Sequence, residues 1–286
     1  MFDIYQAVTD RILNALETGV APWAQPWDGR TILAECAISH VSGKPYSLLN
    51  QLLLLKPGEY CTFKQVKDAG GQVKKGAKAR FVVFWKWVNV EDENDPDKVS
   101  QIPFLRYYNV FHIEDCEGIE AKWSGINVKR YATEPIEAAE TVFTDYTSRE
   151  NITVKIGDSA RAFYRPADDM IRLPGIDQYK NAEEFYSTAF HEATHSTGHE
   201  KRLNRLVKAA SFGSDDYSKE ELVAELGSCF ICAQLGISTE TAFRNSAAYV
   251  QGWLYAMKND KRLIVSAAGA AEKAAKLILN IKEETN

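Results

Sequence analysis

Residues 181–199 read NAEEFYSTAFHEATHSTGH, and His191-Glu192-Ala193-Thr194-His195 within them forms an H-E-x-x-H pentad. The surrounding pattern is helical. Phe185, Ala189 and Phe190 supply an apolar face, Glu183 and Glu184 fall near the start, and Gly198 sits where a C-terminal cap belongs. Side chains four apart on a helix share a face, so His191 and His195 can reach one ion. Glu192 then lies beside the position that a hydrolytic zinc site leaves open for solvent, where it can serve as general base. Such a site wants three protein ligands, and this spacing supplies two. The plain alternative is a chance pattern, two solvent-facing histidines on an amphipathic helix.

The third ligand is sought downstream, where the chain reads Tyr217-Ser218-Lys219-Glu220-Glu221-Leu222-Val223-Ala224-Glu225. Glu221 and Glu225 are four apart and share a helix face. A carboxylate is an ordinary zinc ligand, and a second one can hold a ligating histidine by its other ring nitrogen. Glu221 is therefore assigned as ligand and Glu225 as the acid behind a histidine. Two alternatives stay open. Ser218-x-x-Glu221 is also a capping box, which would turn Glu221 back onto its own helix start. His199 competes too, because metzincins carry H-E-x-x-H-x-x-G-x-x-H; Gly198 matches that glycine, but Lys201 stands where the last histidine belongs.

Working outward, short strands are expected over 152–156, 160–164 and 170–173, ahead of the pentad helix. A sheet edge beside that helix can align an extended peptide by strand addition. Behind it, a loop over 211–218 leads to helices over 219–235, 241–258 and 264–281. Cys229-Phe230-Ile231-Cys232 is a single C-x-x-C in an apolar helix and reads as buried thiols. Towards the front, a helix over 3–18 ends before the prolines of Pro22-Trp23 and Pro26-Trp27. Helices follow over 48–55 and 62–69, then a break at Gly70-Gly71. Phe81–Val88 and Leu105–Ile113 are β-rich partners, with the acidic stretch Glu91–Asp97 as the loop between them. The texture changes near 127–135. This divides the chain into an α+β domain over 1–128 and a second domain over 133–286.

Composition limits the function classes. Apolar residues make up 45% of the chain, enough for real cores. No run approaches the ~18 apolar residues of a membrane span, and the acidic, periodic start is unlike a secretory signal. Five scattered cysteines do not suggest a disulfide framework, so a reducing cytoplasm is expected. Basic and acidic side chains balance through residue 132, so the net charge of −5 belongs to the remainder. Within the front half, basic residues interleave with aromatics, as in Lys44/Tyr46, Trp85/Lys86/Trp87 and Arg106/Tyr107/Tyr108. Single-stranded nucleic acid is bound by such pairings. A half-buried sheet with a solvated face looks the same, and composition alone favours that reading.

Several motifs in one order resemble the ArdC-type antirestriction proteins of plasmids and phages. At the front they are Tyr5-Gln6-Ala7-Val8-Thr9-Asp10, Pro22-Trp23 with Pro26-Trp27, Ser42-Gly43-Lys44-Pro45-Tyr46 and Val73-Lys74-Lys75-Gly76. At the back they are the run His191–His199, Arg202-Leu203-Asn204-Arg205 and Glu220–Gly227. The resemblance implies an N-terminal single-stranded-DNA-binding domain followed by a gluzincin-like zincin metallopeptidase domain, with zinc or another divalent metal such as manganese. The Glu221-x-x-x-Glu225 spacing also resembles the E-x-x-x-D element of gluzincins, with Glu225 in place of the usual aspartate. The resemblance reverses the odds on DNA, although it does not say which residues touch the strand. From the interleaving, and from an excess of eight basic residues over Glu59 and Asp68 between Lys56 and Lys86, we assign Lys44, Tyr46, Lys64, Lys74, Lys75, Lys78, Trp85 and Lys86. The implied role is protection of incoming DNA from restriction, with a protein substrate still to be identified. The rival readings are a non-catalytic DNA-coating protein with a structural metal, and a protease that processes a phage or element protein.

Overall fold

The structure is a computed structural model that describes residues 3–17, 36–92, 95–123, 135–157, 159–206, 215–237 and 252–282. By packing, the chain separates into two units, Met1–Ile4 with Cys36–Gly125, and Tyr5–Glu35 with Ile126–Asn286. Helix α1 (Ile4–Glu17) thus groups with the rear of the chain, although sequence order places it at the front. Its buried stripe of Val8, Ile12, Leu13 and Leu16 has helical spacing. Thr9 Oγ1 donates to the Lys261 carbonyl at 2.8 Å, and the Arg262 guanidinium lies 5.3 Å from the Tyr5 ring.

The front unit is built on a four-stranded sheet of order β1-β2-β5-β4. Strand β1 (Ala37–Ser39) runs parallel to β2 (Gly58–Thr62), and β2 is antiparallel to β5 (Asp95–His112). Strand β5 in turn pairs with β4 (Arg80–Asp92). Two short helices, α2 (Leu48–Leu54) and α3 (Phe63–Asp68), and a ribbon of β3 (Gln72–Val73) with β6 (Cys116–Glu117) complete it. The β4–β5 ladder runs from Arg80↔Val110 to Glu91↔Val99 and resumes at Asp92↔Asp95. The acidic stretch expected as a loop is therefore largely strand. The β-branched and aromatic flanks pair in register and carry the acids along with them. Strand β4 lies at the sheet edge, where buried Asn50 of α2 covers Val83. Its Nδ2 donates to the Val83 carbonyl at 2.8 Å, and its Oδ1 accepts the Val83 N–H at 2.7 Å. An exposed ladder edge is thereby closed.

In the rear unit, α4 (Pro135–Arg149) precedes a three-stranded sheet of order β7-β9-β8. Strand β9 (Met170–Leu173) pairs in parallel with β7 (Thr153–Ile156) and antiparallel with β8 (Phe163–Arg165). Helices α5 (Ala182–Thr197), α6 (Asp215–Leu235), α7 (252–259) and α8 (Leu263–Ile278) follow. Of the helix expected over 241–258, residues 241–251 lie outside the described residues. Phe143, Tyr146, Ile171, Leu173, Phe185, Phe190, Ile231 and Ile278 form one buried core. Burial of each large apolar side chain contributes about 1.5–3 kcal/mol. This core fixes α5 and α6 on the sheet. Among the described residues no helix is long and apolar enough to cross a membrane, and all five cysteines are free thiols.

Candidate metal centre

Helix α5 starts where its sequence supplies a cap: the Asn181 side chain accepts the Glu184 N–H at 2.8 Å. Gly198 ends it, and the chain turns back so closely that both Arg205 N–H and Leu206 N–H bond to the Gly198 carbonyl at 3.0 Å. A Cβ at Gly198 would lie 2.8 Å from Leu206. Close approach is needed again where α6 crosses α5, since a Cβ at Gly227 would stand 2.6 Å from Thr194. This tight crossing brings the first half of α6 within reach of the pentad.

Helix α6 begins at Asp215, a turn earlier than the sequence pattern suggested. Ser218 is therefore inside the helix, the capping box does not form there, and Glu221 faces the histidines. Glu221 Oε2 lies 3.6 Å from His191 Nε2, and Glu221 Oε1 lies 3.6 Å from His195 Nε2. The ligand atoms of His191, His195 and Glu221 all fall within 4.8 Å of one another. Two imidazoles and a carboxylate are a fitting donor set for a divalent transition metal. His199 is not part of this group; its Nδ1 accepts the Lys201 N–H at 3.1 Å instead.

Each of the two imidazoles has a carboxylate behind it. Glu225 Oε2 is 3.7 Å from His191 Nδ1, and Glu220 Oε1 is 3.1 Å from His195 Nδ1. The sequence pattern pointed to Glu225 and not to Glu220. Neighbouring helical positions point about 100° apart, so Glu220 meets the second histidine while Glu221 faces both. Glu220 is held in turn by Arg205, whose Nε and Nη2 each lie 2.9 Å from its carboxylate oxygens. Arg205 also donates to Thr197 Oγ1 at 2.6 Å and to the Thr194 carbonyl. Arg202 donates to the Ser196 carbonyl at 2.7 Å and pairs with Asp169, next to β9. The Arg202-Leu203-Asn204-Arg205 motif is thus a strap that ties sheet, α5 and α6 together. A Glu220→Ala substitution leaves Arg205 without its main partner. We expect a loss on the order of 3 kcal/mol in denaturant unfolding, with Glu220→Gln retaining part of it.

The charges fit a cation. Burial opposes charge on His191, yet the nearby carboxylates of Glu221 and Glu225 and the field of Glu192 hold the imidazole pKa well above its ordinary value. Burial pushes the Glu221 carboxyl up, but His191, His195 and a hydrogen bond from Tyr217 hold it below the usual range. Glu225 Oε1 is buried with no hydrogen-bond partner. Glu192 is only 7% exposed and borders the same cavity of about 710 Å³ as His191, His195 and Glu221. Residues Ala162, Phe163 and Tyr164 line that cavity from β8 and its approach, and Tyr217 lines it from α6. Tyr217 was also missed, because nothing in its spacing marks a hydroxyl that bonds Glu221.

The residues assigned to nucleic acid do not converge in the same way. Lys44, Lys64, Lys74, Lys75 and Lys78 are exposed on separate turns and on α3, while Tyr46 is half-buried against the sheet core. Trp85 and Lys86 lie in β4 with side chains outside the described set. Lys74 Nζ donates to the Glu114 carbonyl at 2.8 Å, and Lys56 pairs with the Glu114 carboxylate. Part of the basic excess is therefore spent on neighbouring acids.

Comparison with known proteins agrees with this architecture. A model described as the N-terminal domain of anti-restriction factor ArdC matches residues 2–111, and one described as a zincin-like metallopeptidase matches residues 137–270. The metal-free crystal structure of antirestriction protein ArdC from plasmid R388 superposes with a TM-score of 0.74 at 36% identity, covering 97% of both chains. The chain belongs to the ArdC antirestriction family. The Mn(II)-bound structure of that ArdC aligns with a TM-score of 0.77 at 34% identity over 98% of both chains. Among curated relatives of this ArdC-type chain, DNA primase TraC of Escherichia coli is 32% identical over 300 residues. That match takes in 98% of the chain and 27% of the primase, so the chain spans about a quarter of this relative. Protein y4eC of Sinorhizobium fredii is 31% identical over 289 residues, covering 96% of this chain and 90% of that one.

Proposed function

We propose that this ArdC-type protein binds single-stranded DNA and hydrolyses peptide bonds at a divalent metal held by His191, His195 and Glu221. The observation that carries the hydrolytic reading is the convergence of these three donors with a buried acid, Glu192, that no structural metal site needs. The Mn(II)-bound ArdC relative supports the metal. When bound, a divalent ion lowers the pKa of water beside it towards ~7 and polarises a carbonyl. Glu192 takes the proton as the water oxygen attacks the peptide carbon, and returns it to the leaving nitrogen as the C–N bond breaks. Strand β8 borders the cavity and offers a sheet edge along which an extended peptide can lie. Free thiols throughout suit action in the host cytoplasm.

The test combines metal analysis with hydrolysis of a mixed peptide library by metal-loaded protein. Metal at one per chain with cleavage that stops on chelation is the expected result. Stoichiometric metal without cleavage of any peptide would leave a non-catalytic site. Affinity should also depend on pH. With the His191 pKa held above its ordinary value, a proton must leave before the imidazole can coordinate. Mn(II) affinity should therefore weaken as pH falls below that raised value, by about tenfold per unit for each proton displaced, and strengthen as pH rises. Calorimetric titration across that range checks the sign.

A further inference from the structure

The front unit carries a row of aromatic rings that its core does not use. Ala37, Leu54, Tyr60, Val82 and Val110 are buried together, with Tyr46 packed at their margin. Residues directly opposite in an antiparallel pair share a face of the sheet, as do residues two apart on one strand. Tyr108 stands opposite Val82, and Phe84, two residues beyond Val82, stands opposite Arg106. All three therefore continue the face of Val82 to where burial stops. Phe84 is 48% and Tyr108 44% exposed, and Arg106 is exposed as well. Ring centroids are 6.5 Å apart from Tyr46 to Phe84 and 5.6 Å apart from Phe84 to Tyr108. Exposed Lys44 lies two residues before Tyr46.

A contiguous exposed apolar row marks an interaction surface, and the flanking cations narrow its occupant. Aromatic rings with Arg106 opposite Phe84, and Lys44 two residues from Tyr46, match nucleobases and phosphates better than an apolar peptide. The rings are inclined to one another by 56° (Tyr46 and Phe84) and 73° (Phe84 and Tyr108), so they do not continue a parallel stack and suit the unstacked bases of a single strand. The geometry points to this face as the platform for single-stranded nucleic acid, with bases on Phe84 and Tyr108 and phosphates beside Arg106 and Lys44. This inference rests on the DNA-binding reading above and gives it a location. It also moves the contact away from Lys74, whose neighbour Glu114 would repel a phosphate.

Fluorescence anisotropy of a labelled oligo-dT with the full-length protein tests it. Phe84→Ala and Tyr108→Ala are each expected to weaken binding about five- to hundred-fold. Arg106→Ala should reduce the slope of log affinity against log salt by about 0.7, while substitution of exposed Lys273 on α8, Lys273→Ala, leaves affinity within about twofold. Circular dichroism and melting of these exposed variants should match the parent. If the parent binds and both aromatic variants bind equally well, the platform lies elsewhere. If the parent binds no single strand at all, the DNA reading itself falls, and this location falls with it.

Discussion

Glu192→Gln is expected to lower kcat for peptide hydrolysis by about 10²–10⁴-fold while metal content and melting temperature stay close to the parent's. The substitution keeps the shape of a side chain that is 7% exposed in a packed helix, so its effect reports chemistry rather than a cavity. It also leaves His191, His195 and Glu221 in place, the three groups whose ligand atoms converge. A general base must accept a proton, and a neutral amide cannot. The readouts are single-turnover cleavage of a peptide selected from a library, metal analysis and thermal unfolding. Parent-like kcat in Glu192→Gln would remove this residue from the reaction. The same variant separates the two activities in cells. If antirestriction survives while cleavage is lost, the protease is not part of protection and DNA coverage carries it.

How much of this was legible in the sequence depends on how local each feature is. The pentad helix was, because apolar periodicity, the acids Glu183 and Glu184 near its start and Gly198 at its end all lie within one continuous segment. Glu221 was legible as a donor type, but its alternative as a cap could be set aside only by the start of α6 at Asp215. Strand β1 was missed because three residues carry too little periodicity; its pairing with β2 is decided by chain 21 positions away in the register Ala37↔Gly58. Packing likewise put α1 with the rear unit, since its apolar stripe names a buried face without naming the surface that buries it. The clearest gain from structure is Glu220. Its acid was in plain view beside Glu221, yet only the turn at Gly198 and the return of Arg205 give it a role. The nucleic-acid residues are less local. Alternation of lysine and aromatic residues marks composition, but which side chains share a face is decided by the ladder register, which puts Phe84 and Tyr108 on one face of the sheet.

Glu221→Ala and Glu225→Ala should separate a ligand from the group that orients one. Glu221 sets one carboxylate oxygen 3.6 Å from each imidazole, so its loss leaves two donors for an ion that wants three from the protein. Glu225 stands 3.7 Å from His191 Nδ1, on the far side of that ring. Removing such an orienting acid costs about 10–100-fold in metal affinity. Removing the ligand should exceed that range and leave no measurable binding at micromolar Mn(II). The difference can be read without any substrate. Metal that binds only the folded state at 1,000 times its dissociation constant adds about 4.1 kcal/mol of stability. A 10–100-fold weaker site keeps about 2.7–1.4 kcal/mol of that, so Glu225→Ala should show a smaller but clear metal-induced rise in melting temperature. Glu221→Ala should show none. In chelator both variants are compared directly with the parent, and there Glu225→Ala removes a carboxylate whose Oε1 is buried and unpartnered, so little stability should be lost. A metal-induced rise in Glu221→Ala equal to the parent's would place the third donor elsewhere and dismantle the site as assigned.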